Sequence, residues 1–135
     1  YQQTMRSGSG AIYNHEGTIH DAKTKKFIRM VPEGKNYRAL PAEYAGIYKY
    51  HEALTRYHSK KPSPTINTGH RSHFHYKWDR IPTVRESARL QSFADNFVFF
   101  GNKTQQYRQV GNAVPPLLGK AIATEIFKWL KKNGN

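Results

Sequence analysis

Two adjacent prolines, Pro115 and Pro116, open the strongest apolar periodicity in this 135-residue chain. After them Leu118, Ile122, Ile126 and Trp129 or Leu130 recur at near-helical spacing, reinforced by Leu117 and Ala121. The prolines suit a helix start, where their missing N–H groups have no helical acceptor in any case. A lone amphipathic helix must bury such a stripe, against either its own chain or a partner domain. The chain has little to cover it with, because Leu, Ile, Val and Phe together number 26, about 19% of its residues. That fraction, with a net charge of +13, is the composition of disordered chains. Eighteen aromatic residues, nine of them Tyr, argue instead for a folded domain. A chain this long buries roughly 68% of its unfolded surface, enough for one core and hardly two.

The charge, 22 Lys and Arg against 9 Asp and Glu, sets up a field that attracts polyanions, nucleic acid first among them. The basic residues run from Arg6 to Lys132 interleaved with Tyr and His, unlike the one-sided basic face of a membrane-surface helix. The absence of Cys excludes disulfide scaffolds, thiolate zinc sites, iron–sulfur ligation and every thiol nucleophile. No stretch has the apolar length of a membrane span and no signal-like segment opens the chain, so an intracellular protein without a membrane partner is expected. The first residue is Tyr1, which suggests a trimmed chain or an excerpt of a longer one.

Residues 1–80 are rich in Gly, Pro, Tyr and Lys. Ser7-Gly8-Ser9-Gly10 reads as a turn, Lys25 to Val31 as a short strand alternating basic and apolar positions, and Pro32 to Asn36 as turn chemistry. A helix is expected within Glu43–Leu54, weakened by Gly46 and ended by Lys60-Lys61-Pro62-Ser63-Pro64. Thr83 and Glu86 have capping-box spacing and predict a helix from about Val84 to Ser92, with Arg85 and Arg89 on one face. Phe97 to Phe100 reads as a buried wall. Thr104 is placed to cap a brief helix through Val110, ended by Gly111-Asn112.

His70, His73 and His75, with Asp79 the nearest carboxylate, make a weak metal set, and a polar strand facing nucleic acid or solvent is the larger expectation. Gly8-Ser9-Gly10 lacks the third Gly of a dinucleotide loop, which Tyr13 replaces, and no phosphate loop, H-E-x-x-H or nucleophile elbow occurs. Two stretches carry more pattern: Arg85 to Phe97, a capped helix with two arginines and an aromatic plug, and Gln106 to Pro116, a polar helix, a Gly-Asn turn and a new helix start. A turn packed at a helix N-terminus offers backbone N–H groups to an anionic or polar ligand, but the residues alone favour a compact corner between helices.

These stretches resemble the ninth and tenth sequence motifs of the DNA cytosine-5 methyltransferases. Thr83 to Phe97 follows the family pattern Thr-x-Arg-Glu-x-Ala-Arg-Leu-Gln-x-Phe-Pro-Asp-x-Phe, except for Ala94 at the usual Pro, and Gln106 to Pro116 follows the tenth without departure. Ser63 to Ile66 and Pro32 to Arg38 look like passages common before the ninth motif. The strong match covers roughly a quarter of the chain, and the rest sits where the family places its variable target recognition domain. The resemblance implies that Gly111, Asn112, Ala113 and Val114 line an S-adenosyl-L-methionine pocket. It also implies that Arg85, Arg89 and Gln91 organise the recognition domain, and that the Pro115–Leu130 helix packs on the catalytic domain. Lys35, Arg38, His70, Arg71, His73 and Lys77 become candidates for contacts to double-stranded DNA. Ala94, in freeing the backbone after Phe93, is expected to loosen the corner.

The family's nucleophile is a Cys that adds at cytosine C6, and this chain has none. The glycine-rich cofactor loop is not recognisable either. The expectation is therefore an α+β C-terminal part of a bacterial or phage cytosine-5 methyltransferase of the restriction–modification kind, cytoplasmic and inactive alone. It divides into a small irregular recognition region with short strands (1–82), a capped helix with the tenth-motif turn (83–112) and a C-terminal amphipathic helix (113–135). No metal is expected. A stand-alone basic nucleic-acid-binding module and a purely structural piece are the other readings.

Overall fold

A computed structural model of the chain describes residues 5–6, 10–45, 54–68 and 73–134. In order these form α1 (Ala22–Met30), a 3-10 turn (Tyr37–Ala39), α2 (Ala42–Ala45), β1 (Thr55–Arg56), β2 (His73–Phe74), α3 (Val84–Leu90), α4 (Lys103–Asn112) and α5 (Pro116–Asn133). The α+β class is as expected, and the strands among the described residues are a two-stranded parallel pair in which Thr55 faces His73 and Arg56 faces Phe74. Lys35 extends the far side of β1, its carbonyl accepting from Arg56 N at 2.9 Å.

The expected strand over 25–31 is a helix instead. Phe27, Ile28 and Val31 satisfy a 3.6-residue period as well as an alternating one. Asp21 decides between them by capping the first turn, its carboxylate accepting from Thr24 N at 2.6 Å. The helix expected within 43–54 begins as α2, and residues 46–53 lie outside the described residues, as do Ser7, Gly8 and Ser9 of the expected turn.

Two apolar clusters form where one core was expected. The first joins Ile28, Val31, Tyr37, Leu40, Phe74 and Ile81; the second joins Val84, Ala88, Phe93, Phe99, Tyr107 and Val110. With so few aliphatic residues, each cluster is built around aromatic rings and tied off by a buried arginine. Arg56 donates through Nε to Val31 O at 2.7 Å and through its Nη atoms to Ile28 O and to His75 O, so it closes the carbonyl end of α1. Asp79 balances its charge at 3.2 Å and also takes Arg29 at 2.8 Å.

Arg85 is the counterpart in the second cluster, with no exposed surface. It donates to Tyr13 O and Ala94 O, each at 2.9 Å, and to Phe97 O. A single side chain thereby fixes residue 13 and the loop after α3 to the same helix. The Ala94 carbonyl accepts from two sides, from Arg85 and from Phe97 N. Of the expected aromatic wall only Phe99 is buried; Phe97 and Phe100 face outward.

The α3 capping box forms as its spacing predicts, with Thr83 Oγ1 accepting from Glu86 N and Glu86 accepting from Thr83 N. Helix α4 starts two residues earlier than expected, capped by Asn102 and Gln105 in a reciprocal pair rather than by Thr104. It also ends later, since Gly111 and Asn112 are its last helical residues. Helix α5 begins at Pro116 as expected, yet none of its residues is buried by the rest of the chain.

Candidate functional site

The residues of the two patterned stretches come together where α3, its following loop and α4 meet. Gln91, at the C-terminus of α3, donates through Nε2 to Val110 O at 2.7 Å, clamping the end of α3 to the end of α4. Arg89 holds Asp95 in a two-point pair at 2.8 and 2.6 Å, and that guanidinium keeps the buried Asp95 carboxyl below its usual range. Arg85, Arg89 and Gln91 therefore organise the corner itself, and none of the three projects as a free side chain. Tyr107 ties α4 to the segment just before α3 through its hydroxyl, which donates to Pro82 O at 2.6 Å; burial pushes its pKa up to about 12.

Gly111 explains why the corner is so tight. A Cβ there would lie 2.7 Å from Asn67 O and 2.8 Å from Asn67 C and Thr68 N, all backbone atoms. Only glycine lets α4 lie this close to the Asn67-Thr68 backbone. The sequence pattern suggests a Gly-Asn turn presenting backbone donors at the start of the next helix. The helix break falls instead at Ala113-Val114-Pro115, and donors there are few. Pro115 and Pro116 carry no N–H, and Leu117 N donates to Ser92 Oγ at 3.1 Å. What the break exposes is side chains: Asn112 and Val114 face outward, while Ala113 packs against the second cluster.

Asn14 has no counterpart among the sequence-based candidates, and it is as densely hydrogen-bonded as Arg85. Its backbone lies in the left-handed region at φ 59°, which Asn tolerates better than most side chains. Its Nδ2 donates to Phe99 O (2.8 Å) and Gln106 Oε1 (3.1 Å), its Oδ1 accepts from Phe99 N (3.0 Å), and its carbonyl accepts from Arg85 N (2.9 Å). His15 adds a contact to Thr83 Oγ1 at 2.9 Å. An Asn-His pair about 70 residues before a capping box carries no local signal.

Among the candidates for DNA contact, Lys35, Arg38 and Lys77 are exposed. Lys35 and Lys77 sit on segments that flank the two-stranded sheet, each bonded to Arg56 or to a residue that Arg56 holds. His73 is turned inward, stacked on Tyr57 with ring centroids 5.0 Å apart and buried, so its ring is removed from the DNA-facing set. Burial also lowers its pKa. His75 stacks on Tyr76 and accepts at Nδ1 from Lys77 N and Trp78 N, which makes it a loop-building residue. His70 and Arg71 lie outside the described residues. Among the described residues no group of three His, Cys, Asp or Glu could hold a metal ion, and no helix is long and apolar enough to cross a membrane.

On the far side of the corner, α5 carries Leu118, Ile122, Ile126 and Leu130, each about half exposed, together with Phe127 and Trp129. Lys128–Glu125 and the Lys131 ammonium over the Phe127 ring are its side-chain charge contacts.

Comparison with known proteins gives a consistent set of relatives. The family model for C-5 cytosine-specific DNA methylase matches residues 1–128. The chain is 44% identical to Type II methyltransferase M1.HphI of Haemophilus parahaemolyticus, over 87% of this chain and 32% of that protein. It is 35% identical to Type II methyltransferase M.AquIB of a Picosynechococcus strain, over 88% of this chain and 90% of that one. A crystal structure of a protein described as a DNA modification methyltransferase, encoded within an E. coli prophage, superposes with a TM-score of 0.68 at 26% identity. That match covers 87% of this chain and 29% of the other. The chain thus spans about a third of M1.HphI and nearly the whole of M.AquIB.

Proposed function

Because the chain belongs to the C-5 cytosine-specific DNA methylase family, we propose that it is the DNA-recognition and cofactor-completing C-terminal part of a DNA cytosine-5 methyltransferase, serving restriction–modification. The observation that carries this reading is the uncovered apolar stripe of α5, which begins directly after the tenth-motif corner. Seven large apolar side chains, Leu117 to Leu130, stand roughly half exposed or more on one 18-residue helix, a patch that marks an interaction site rather than a solvated surface. A catalytic domain is the partner it fits.

Methylation at C5 needs a soft nucleophile to add at C6 and make C5 electron-rich. This chain has no Cys, so that group is supplied by other sequence, and the 135 residues alone are inactive. S-adenosylmethionine would supply the methyl group. On this chain the outward-facing Asn112 amide and Val114, with Gly111 and Ala113 setting the break, suit the edge of a ligand that is part polar and part apolar. Gln91, Arg85 and Asn14 hold that edge still.

Residues 1–82 would lie against the duplex, with Lys35, Arg38 and Lys77 on phosphates or groove edges, and His70 and Arg71 as further candidates from sequence. Holding the duplex lets the target cytosine be turned out into the partner's pocket. Residues 83–112 form the corner that joins this surface to the cofactor edge, and residues 113–135 dock the whole on the catalytic part.

A mixing experiment tests this. The chain is combined with a polypeptide carrying the Cys and S-adenosylmethionine motifs, and transfer of labelled methyl groups to duplex DNA is measured. Transfer that requires both polypeptides is the expected result. Tight DNA binding by this chain with no transfer in any mixture would instead favour a stand-alone binding module.

A further inference from the structure

The loop from His75 to Arg80 is closed at its base, where His75 N donates to Arg80 O at 2.9 Å. Inside it, Lys77 N and Trp78 N both donate to His75 Nδ1 at 3.0 Å, and Arg80 N donates to Trp78 O at 2.8 Å. Asp79, its one carboxylate, turns toward Arg29 and Arg56 and is neutralised by them. The backbone polar groups named here are met within the loop, so its shape does not depend on a partner. What it projects is Tyr76 (44% exposed), Lys77 and Trp78 (53% exposed), with the Lys77 ammonium 5.0 Å from the centre of the Trp78 ring.

An indole held out in water beside a cation, on a loop whose negative charge is folded inward, has two complements in one ligand: a flat π face and an anion. We propose that this loop is a DNA-contact element in which Trp78 packs its ring against a base and Lys77 pairs with a neighbouring phosphate. This rests on the DNA-recognition reading above and names the residues that act in it. The contrast with α5 supports nucleic acid as the occupant. The α5 stripe is broadly apolar and fits a protein face, whereas the loop tip is a small aromatic surface with positive charge on a chain of net charge +13. Stacking on aromatic side chains is tolerant of base identity, so the loop would contribute grip rather than sequence choice. Turning out a cytosine also leaves base faces unstacked near it, which gives an indole a surface to meet.

The chain has two tryptophans, Trp78 and Trp129, so Trp129→Phe leaves Trp78 as the sole indole reporter. A labelled duplex is titrated with this variant at about 50 mM salt, where phosphate contacts are strong. Label anisotropy and indole emission are followed together, with and without the catalytic polypeptide. Emission should be quenched in step with the rise in anisotropy. Trp78→Ala should raise Kd by about 5- to 150-fold with an unchanged unfolding curve, and Lys77→Ala should reduce the slope of log K against log salt by about 1.

Anisotropy that rises while Trp78 emission stays constant would overturn the loop proposal and leave DNA recognition standing. The loop proposal falls equally if the catalytic polypeptide alone, without DNA, produces the emission change, because the indole is then covered by protein. No anisotropy change in any mixture would overturn both. The emission readout needs no substitution at residue 78, so it decides even where Trp78→Ala folds poorly.

Discussion

Gly111 shows how a residue assigned to a ligand is first required by packing. Its Cα lies so close to the backbone of Asn67 and Thr68 that a methyl group would sit 2.7 Å from a carbonyl oxygen that cannot rotate away. Gly111→Ala gains up to about 1 kcal/mol of helix propensity and meets an overpacking cost of about 1–3 kcal/mol. The variant is expected to be less stable by about 1 kcal/mol in urea unfolding, with m unchanged. If glycine were kept there only for ligand clearance, stability would hold or rise while methyl transfer in the mixed enzyme fell. The pairing of Gly111 with Asn67 is invisible in the sequence because the partner is a backbone segment about 44 residues away. The same holds for Asn14 and Arg56, whose acceptors include main-chain carbonyls that leave no compositional trace.

At the scale of elements, what could be read was what local chemistry decides. The α3 capping box and the proline start of α5 formed at their expected positions because each depends on residues within four of one another. The strand expected at 25–31 failed because a short apolar pattern fits two periods, and the Asp21 cap decided the outcome. Helix α3 also carries the clearest titration. Burial opposes ionisation of Glu86, but a two-point pair with Arg80 at 2.7 Å and the Thr83 N–H outweigh it and hold its pKa at about 2. A depressed folded pKa means stability that is complete above the ordinary carboxyl value of 4.5 and is lost as pH falls toward 2. Thermal unfolding followed across that window should show the midpoint falling steeply, and Glu86→Gln should flatten part of the fall while lowering stability at neutral pH. An equal slope in both proteins would mean that the other depressed carboxylates, Asp79 and Asp95 beside their arginines and the hydrogen-bonded Asp21 and Glu33, carry the effect.

For the whole molecule, the low aliphatic content and the high charge are two sides of one arrangement. The two clusters hold a corner and a sheet, and seven of the exposed large apolar side chains among the described residues lie on α5, outside both. A chain with such a face should self-associate through it when its partner is absent, yet +13 on each copy opposes that. Helix α5 has 18 residues, about 27 Å in length. At 0.01 M salt the screening length is about 30 Å, so charges along the entire helix repel; at physiological salt it is about 8 Å and only near neighbours do. Sedimentation of the isolated chain should therefore show monomer at low salt and increasing association as salt rises, the reverse of what DNA binding does. Ile126→Asp places a carboxylate in the middle of the stripe without touching either cluster. It should leave the unfolding curve of the isolated chain unchanged, keep it monomeric at all salt concentrations, and abolish methyl transfer in the mixing experiment. Association that strengthens at low salt, or that survives Ile126→Asp, would locate the sticky surface elsewhere and remove the chief argument that α5 is the face toward the catalytic part.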